Sequence, residues 1–472
     1  MSEAPESRDS RRQLALTDRR LLIMLGDLLA VLLSVLLALV IWVIVDGRGL
    51  GVPFVVARLY WFPLLAALWL LLAHANDFYD LRVTARLDST LLHLVPITLQ
   101  LVVVYLVIFF FSPRDALPRL FILYYGVLSV LFISAWRAVR PRLFAWTSAP
   151  RRAVIVGGGR MASVMLDVLQ RDAPDDYEIV GIVADDLHGA TSEAPVISPS
   201  TDLPHVVRRE HVSEIILAQG DELSDQMFQA IADCYEQGVT IVPMPLLYEQ
   251  ITGRVPVEHV GQQYWIAMLP VDDDSILDPY PPVKRAVDVT LSVAGLVLFA
   301  LLLPGIALAV RLDSPGPVFF RQPRVGKHGR VFTLFKLRTM IHDAERDTGP
   351  LWASDRDPRV TRVGRVLRRA RLDELPQLVN VLRSDMSLIG PRPERPAFVD
   401  TLSETIPFYR TRHTIKPGIT GWAQVRYPYG NTPEDALVKL QYDLYYIRHR
   451  SLALDVLILL RTAGRMLMFR GL

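Results

Sequence analysis

The sequence contains 472 residues, of which 51% are hydrophobic, and its mean hydropathy is +0.28. This length predicts two or three domains, and so large an apolar fraction requires a non-aqueous environment for part of the chain. The net charge of +2 decides nothing by itself, and no nucleic-acid partner is predicted. Because Cys234 is the only cysteine, an intramolecular disulfide and a cysteine-based metal cluster are excluded.

Four apolar runs lie within residues 1–148, which we predict to form a bundle of four transmembrane helices. Each run approaches the ~20 residues that cross a bilayer, and together they cover roughly Leu21–Val45, Phe54–Ala73, Leu91–Phe111 and Leu120–Trp136. Arginines cluster before the first run, between the second and third, and after the fourth, so the positive-inside rule places both ends of the bundle in the cytoplasm. Asp27 is costly in lipid, which predicts either packing against a neighbouring helix or an interfacial position.

Strand-like and helix-like runs alternate over residues 149–270, which predicts a parallel, Rossmann-like α/β domain in the cytosol. Its first turn contains Gly157 and Gly159, in the spacing of a dinucleotide-binding loop between a strand and a helix. Small residues there let the backbone approach a pyrophosphate, and Asp185, at the end of the next strand, could meet a ribose hydroxyl. Nucleotide binding and a role as a folded scaffold or dimerisation module both remain open for this domain.

A catalytic role for this domain, as in a nucleotide-sugar dehydratase or epimerase, would also require a Tyr-x-x-x-Lys pair on a helix. The only such spacing in the sequence is Tyr280–Lys284, and Pro281 and Pro282 lie between the two residues. Proline removes a backbone donor and clashes inside a helix. We therefore expect no continuous helix at this pair and no catalysis by the middle domain.

A linker at 271–282 leads to the predicted catalytic domain, residues 283–472. Its first segment, 284–311, is apolar and long enough to cross a bilayer, but Pro304 lies inside it and both flanks are basic. A mid-helix proline kinks or breaks a helix, and a crossing would put one basic flank on the wrong side of the membrane. We predict a re-entrant helical hairpin that bends at Pro304 and returns to the same face; a kinked full span is the alternative.

Basic residues around two adjacent carboxylates, Asp373 and Glu374, indicate a site for phosphates. Pro376 suits the first turn of a helix, so both carboxylates would lie at a helix N-terminus, where the dipole stabilises negative charge. Nearby arginines would keep Asp373 ionised and could clamp a pyrophosphate. One carboxylate could attack phosphorus while the other holds a divalent cation; the alternative is that the pair only caps the helix.

From Lys284 onwards the sequence closely resembles the bacterial sugar transferases, the polyprenyl-phosphate phosphoglycosyl transferases with a monotopic α/β catalytic core. The resemblance rests on long motifs, above all Leu372–Leu382 and Lys416–Val425. With its N-terminal spans and middle domain, the chain is similar to the large branch of this superfamily, which initiates exopolysaccharide or O-antigen synthesis.

The resemblance implies transfer of a hexose-1-phosphate from a UDP-hexose to undecaprenyl (polyprenyl) phosphate, with release of UMP. It implies an aspartyl-phosphosugar intermediate, Mg²⁺ as cofactor, and a catalytic domain among lipids at the cytoplasmic face of the bacterial inner membrane. Departures from the family motifs at Leu337, Ala370 and Ser384 leave the identity of the hexose open. A homodimer is the expected assembly if the middle domain pairs.

The resemblance also assigns roles to single residues. Asp373 matches the nucleophile, and Glu374 matches the partner that binds Mg²⁺. Three further residues match catalytic positions: Lys336, Arg368 and Asp443. Substrate contacts are expected for Arg392, which lies in a Pro-Arg-Pro element, and for Arg338, Arg371 and Pro304.

Overall fold

The computed structural model divides the chain into two compact units, Met1–Met244 and Pro245–Leu472. Each unit has hydrophobic cores of its own. The structure describes residues 16–45, 58–76, 78–79, 87–111, 120–143, 150–174, 176–184, 196–197, 203–218, 223–259, 278–341, 344, 357–428, 430 and 432–467.

The first unit begins with apolar helices. They are α1 (Leu16–Val45), α2 (Trp61–Ala75), α3 (Leu87–Phe111) and α4 (Phe121–Leu143). Among the residues of this unit that the structure describes, three segments are long and apolar enough to cross a membrane: Leu21–Val45, Thr90–Val107 and Phe121–Arg140. The predicted second span is a helix of 15 residues, α2, which is shorter than the ~20 residues that a perpendicular crossing needs.

A buried ion pair joins α1 to α4. The Arg137 guanidinium donates to both carboxylate oxygens of Asp27, at 3.2 and 2.6 Å, and lies 4.6 Å from the centre of the Phe78 ring. The two charged side chains are 2% and 0% exposed. The prediction that Asp27 packs against a neighbouring helix is confirmed, because charges inside a bundle need a partner.

A five-stranded parallel sheet follows in the first unit, with the strand order β3-β2-β1-β4-β5. Its strands are β1 (Arg151–Val156), β2 (Tyr177–Val183), β3 (Val196–Ile197), β4 (Glu214–Leu217) and β5 (Thr240–Pro243). Helices α5 (Gly159–Asp172), α6 (Leu203–Arg209) and α7 (Asp225–Glu236) alternate with them. Parallel strands need such crossover helices, and the predicted alternation of strands and helices is present.

The segment after β5 packs with the second unit, although the predicted domain boundary at residue 270 lies beyond it. Helix α8 (Met244–Thr252) and the 3₁₀ helix Val257–His259 form this segment. The Trp422 indole N–H donates to the Gly253 carbonyl oxygen at 3.0 Å, and the Val255 N–H donates to that of Gln441 at 3.1 Å. These bonds explain why the two units divide before the segment and not after it.

Helix α9 (Tyr280–Asp313) opens the rest of the second unit and is a further helix long and apolar enough to cross a membrane. Pro281 and Pro282 lie in its first turn, where backbone N–H groups make no hydrogen bond within the helix, so proline costs no such bond there. The expectation that these prolines exclude a continuous helix is therefore wrong. Both Tyr280 and Lys284 reach the carboxylate of Asp455, at 3.2 and 2.8 Å.

Helix α9 also runs without interruption through Pro304. A hairpin made of two separate helical arms is therefore not confirmed. A proline removes one backbone donor and bends a helix more readily than it ends one. Pro304 is exposed on the helix surface.

The remaining elements complete the second unit. An antiparallel hairpin, β6 (Phe319–Val325) and β7 (Val331–Leu337), follows α9 and turns through a 3₁₀ helix, Lys327–Gly329. Strand β8 (Ser387–Ile389) pairs in parallel with β9 (Gly418–Thr420). The helices are α10 (Arg362–Arg369), α11 (Leu378–Leu382), α12 (Pro396–Thr405), α13 (Trp422–Arg426), α14 (Pro433–Arg448) and α15 (Leu452–Leu467), with 3₁₀ helices at Leu372–Gln377 and Tyr409–Thr414.

Candidate active site

Asp373 and Glu374 lie together in the 3₁₀ helix Leu372–Gln377, and each is 7% exposed. Arg371 enters this helix in the left-handed conformation, with φ of 58°. Pro376 lies within the 3₁₀ helix, and the α-helix that follows begins only at Leu378. The prediction that both carboxylates lie at the start of a helix is confirmed, but that helix is a 3₁₀ turn that begins after the left-handed Arg371, and Pro376 lies near its end.

Three cationic side chains contact Glu374. Lys336 Nζ lies 3.3 Å and Arg392 Nη2 lies 2.9 Å from Oε1, and Arg371 Nη1 lies 3.4 Å from Oε2. Lys336 comes from β7, Arg392 from the loop after β8, and Arg371 from the turn before the 3₁₀ helix. Burial alone would raise the pKa of Glu374, but these three cations outweigh it and lower that pKa well below its usual range.

Asp373 has a different electrostatic environment. Burial and the adjacent Glu374 carboxylate raise its pKa, while Lys336, Arg368 and Arg392 oppose the rise without cancelling it. Arginines were expected to keep Asp373 ionised, but Lys336 and Arg392 make their short ion pairs with Glu374. The structure thus brings together one stabilised carboxylate and one poorly solvated carboxylate. Such a division gives adjacent carboxylates different chemical roles.

Two predicted arginines lie beyond these ion pairs. Arg368 Nε donates to Thr339 Oγ1 at 2.9 Å, and its charge acts on Asp373 through space. Arg338 is 6% exposed and donates to the backbone carbonyl oxygens of Val310 at 3.3 Å, Ser314 at 2.7 Å and Pro315. Its guanidinium therefore caps the C-terminal end of α9, where carbonyl groups lack helical partners. The structure does not place Arg338 in contact with the carboxylate pair.

Asp443, on α14, is paired with Arg412, a residue that sequence reasoning missed. Arg412 Nη2 lies 2.7 Å from Asp443 Oδ2, and both side chains are buried. Burial raises the pKa of Asp443 to about 6 although Arg412 opposes the shift. Arg412 lies 31 positions before its partner, in a basic run with no pattern that separates a buried arginine from exposed ones. No local signal in the sequence could have found it.

The glycine loop lies in the first unit. Gly157 has φ of 122° and donates its N–H to the Val183 carbonyl oxygen at 2.8 Å, and Gly159, with φ of 69°, begins α5. Both conformations disfavour residues with a Cβ, so the strand–glycine–helix arrangement is as predicted. Asp185 lies outside the described residues.

The carboxylate pair can be tested for its fit to Mg²⁺. Among the described residues, no three His, Cys, Asp or Glu side chains form a ready-made metal site. Magnesium is usually held by one or two carboxylates together with substrate phosphates, which needs no third protein ligand. Within the described part of the chain, Oε2 of Glu374 has only the long Arg371 contact at 3.4 Å, so this oxygen retains a lone pair for a cation. The donor set fits Mg²⁺ shared with a phosphate substrate.

Comparisons with known proteins identify the family to which this part of the chain belongs. Residues 280–469 match the family model described as bacterial sugar transferase, and residues 74–245 match one described as a CoA-binding domain. An exopolysaccharide production protein from Rhizobium leguminosarum bv. phaseoli is 41% identical over 38% of this chain and 92% of its own length. The chain belongs to the bacterial sugar transferase family.

Longer relatives in this family carry more specific names. The UDP-N-acetylgalactosamine-undecaprenyl-phosphate N-acetylgalactosaminephosphotransferase of Aeromonas hydrophila is 42% identical over 51% of this chain and 56% of its own length. The undecaprenyl-phosphate glucose phosphotransferase of Komagataeibacter xylinus is 37% identical over 68% of this chain and 60% of its own length. The matched region thus spans less than two thirds of either relative.

Proposed function

We propose that this protein transfers a hexose-1-phosphate from a UDP-hexose to undecaprenyl phosphate and releases UMP. The observation that carries the proposal is the buried pair Asp373 and Glu374, with one carboxylate held by Lys336, Arg392 and Arg371 and the other left without a short ion pair. The Aeromonas and Komagataeibacter relatives are named for undecaprenyl phosphate and for different sugars, so the hexose stays open. The exopolysaccharide relative supports a place at the start of surface polysaccharide synthesis.

The proposed reaction has two displacements at phosphorus. An Asp373 oxygen attacks the β-phosphorus of the UDP-hexose, and the bond to the leaving UMP oxygen breaks with its electron pair. Lys336 and Arg392 stabilise charge on the phosphate oxygens during this step. An oxygen of undecaprenyl phosphate then attacks the phosphorus of the aspartyl-phosphosugar, and the Asp373 carboxylate is released unchanged.

Glu374 is the proposed ligand of Mg²⁺, together with phosphate oxygens of the donor. When bound, the cation would neutralise phosphate charge and so ease the approach of an anionic nucleophile. Arg371 and Arg392 hold the Glu374 side chain in place. A negative charge on Glu374 is required for this role, and the cations around it maintain that charge.

Contacts at both ends of α9 support a further proposal, that this helix enters and leaves the membrane on one face. Near its start Lys284 bonds Asp455 at 2.8 Å, and at its end the Asp313 carboxylate accepts the Val363 N–H at 2.8 Å. If α9 crossed the ~30 Å hydrocarbon core, its ends would lie on opposite sides of the bilayer, and the unit that contacts both ends would have to place charged groups in lipid, which is costly. We propose the cytoplasmic face for the catalytic core, because both flanks of α9 are basic.

The middle domain keeps two proposed roles, nucleotide binding at the Gly157 loop or a folded scaffold that pairs two copies of the chain. The dehydratase alternative gains nothing from Tyr280 and Lys284. Their side chains are engaged by Asp455 and Tyr446 in the second unit.

The decisive experiment measures UMP release by the full-length protein in nanodiscs, with Mg²⁺, undecaprenyl phosphate and a panel of UDP-hexoses. We expect release with one UDP-hexose, dependence on Mg²⁺, and a loss of roughly 10³-fold or more in Asp373→Asn, which removes the nucleophile. Complementation of glycan synthesis in cells by Asp373→Asn would instead favour a non-enzymatic scaffold. Folded native protein that releases no UMP from any donor would overturn the proposal.

A further inference from the structure

A buried cluster around Arg412 lies outside the carboxylate pair. Besides its ion pair with Asp443, the Arg412 guanidinium donates through Nη1 to Tyr409 Oη at 2.6 Å and through Nη2 to the Arg392 carbonyl oxygen at 3.1 Å. One side chain thus ties the 3₁₀ helix Tyr409–Thr414 to α14 and to the loop after β8. A guanidinium can do this because its planar fork fixes the direction of several bonds at once.

Arg392 connects this cluster to the carboxylate pair. Its backbone carbonyl is held by Arg412, and its own side chain donates to Glu374 Oε1 at 2.9 Å. Asp443 is 1% exposed and accepts from Arg412. Its carboxylate is therefore placed to hold the Arg412 guanidinium, and it is too deeply buried to contact a substrate.

We propose that Arg412 and Asp443 are positioning residues that fix the loop after β8, so that the Arg392 side chain meets Glu374 and the donor diphosphate. The inference rests on the proposed function, since it concerns the geometry of that reaction. Buried ion pairs are often no more stabilising than apolar residues of the same volume. A role in placing Arg392 therefore accounts for this buried pair better than a contribution to stability does.

Two conservative variants test the proposal kinetically. Arg412→Lys keeps the charge but cannot reach Tyr409, Asp443 and the loop together, and Asp443→Asn keeps the shape but removes the counter-charge. We expect each to lower kcat/KM for the UDP-hexose roughly 10- to 100-fold, because small misplacements of a positioned group cost this much. The loss should appear mainly in kcat, since the alignment is needed in the transition state.

Glu249→Gln is the matched control. Glu249, on α8, is 4% exposed and pairs at 2.8 Å with Arg448, which lies on α14 as Asp443 does. This variant breaks a buried pair that has no bond to Arg392, so it should keep native kcat and KM. If it loses kcat as Arg412→Lys does, the effect is general loosening of α14 and the positioning role is overturned.

A double-mutant cycle with Arg392→Ala tests whether Arg412 affects catalysis through Arg392. If Arg412 acts through Arg392, adding Arg412→Lys to Arg392→Ala should cause no further loss of kcat/KM. Fully additive losses would overturn the proposal. Should Asp443→Asn fail to fold, Tyr409→Phe removes one acceptor of the same guanidinium and gives a milder variant for the cycle.

Hydrogen exchange measured by mass spectrometry gives a readout that does not need turnover. Arg412→Lys should raise amide exchange in residues 390–395, and Glu249→Gln should leave exchange there unchanged. Unchanged exchange in Arg412→Lys overturns the positioning role, whether or not the protein releases UMP. Absence of UMP release from native protein, with the expected exchange result, would count against the proposed function alone.

Discussion

At the scale of single residues, His413 has the clearest titration signature beside the site. Burial, with the neighbouring charges of Arg412 and Arg410, lowers its pKa to about 4. The unfolded chain has the ordinary histidine pKa of about 6.5, so it takes up a proton first as the pH falls. The stability that neutral His413 contributes is complete above pH 6.5 and is lost between pH 6.5 and 4.

His413→Gln should therefore make the protein less sensitive to acid. Relative to the native protein, the variant should gain on the order of 1 kcal/mol of stability between neutral pH and about pH 5.5. The measurement is the apparent unfolding midpoint of the full chain in nanodiscs across this range. His205→Gln, at an exposed position of α6, controls for losing a histidine. Parallel pH curves for native protein and His413→Gln would contradict the expected shift.

The residues of the site were predictable where they lie in contiguous motifs. Asp373 and Glu374 are adjacent in sequence, so their proximity required no knowledge of the fold. Which of them receives the cations was not predictable, because Lys336 and Arg392 approach from separate elements. The pair Arg412 and Asp443 was hidden for the same reason, since only the packing of α14 brings them together.

At the scale of elements, helix α8 shows that chain order alone does not decide which domain a helix packs with. The sequence grouped it with the parallel sheet, and the structure groups nearly all of it with the second unit. The segment follows β5 directly, as a crossover helix of the sheet would. Its position after β5 and its apolar residues do not specify which surface it packs against. The contacts of Glu249 with Arg448 at 2.8 Å and His449 at 3.1 Å add to the Gly253 and Val255 bonds that attach it to the second unit.

Glu249→Gln should destabilise that unit by about 1–3 kcal/mol, because it leaves Arg448 without its buried counter-charge. Arg448 is 25% exposed, which lets water compensate in part and keeps the cost below that of a fully buried pair. The check is the apparent unfolding midpoint of the full chain. Glu258→Gln changes the exposed end of the same segment and should move that midpoint much less. Equal shifts in the two variants would show that the buried pair has no special role.

At the scale of the whole molecule, local periodicity predicted most of the architecture. Apolar runs and alternating strand and helix patterns are properties of short segments, and they correspond to α1, α3, α4 and the parallel sheet. The continuity of α9 through Pro304 was not predictable. Pro304 lies on the exposed surface of α9, between the buried residues Phe299 and Val310, and a proline in such a position can bend a helix without ending it.

The membrane topology of α9 decides whether the candidate active site faces the cytosol, where the proposed UDP-hexose donor is found. In a Cys234→Ser background, single cysteines at the exposed positions Pro279 and Pro317 flank the helix. If α9 enters and leaves on one face, an impermeant maleimide should label both cysteines in inverted membrane vesicles and neither in intact spheroplasts. Asp400→Cys, on the exposed surface of α12, reports the side of the catalytic core and should behave identically. Labelling of the Pro279 and Pro317 positions from opposite sides would mean that α9 crosses the bilayer. The contacts of Lys284 and Asp313 with one compact unit argue against that outcome, since both would have to persist across ~30 Å of hydrocarbon.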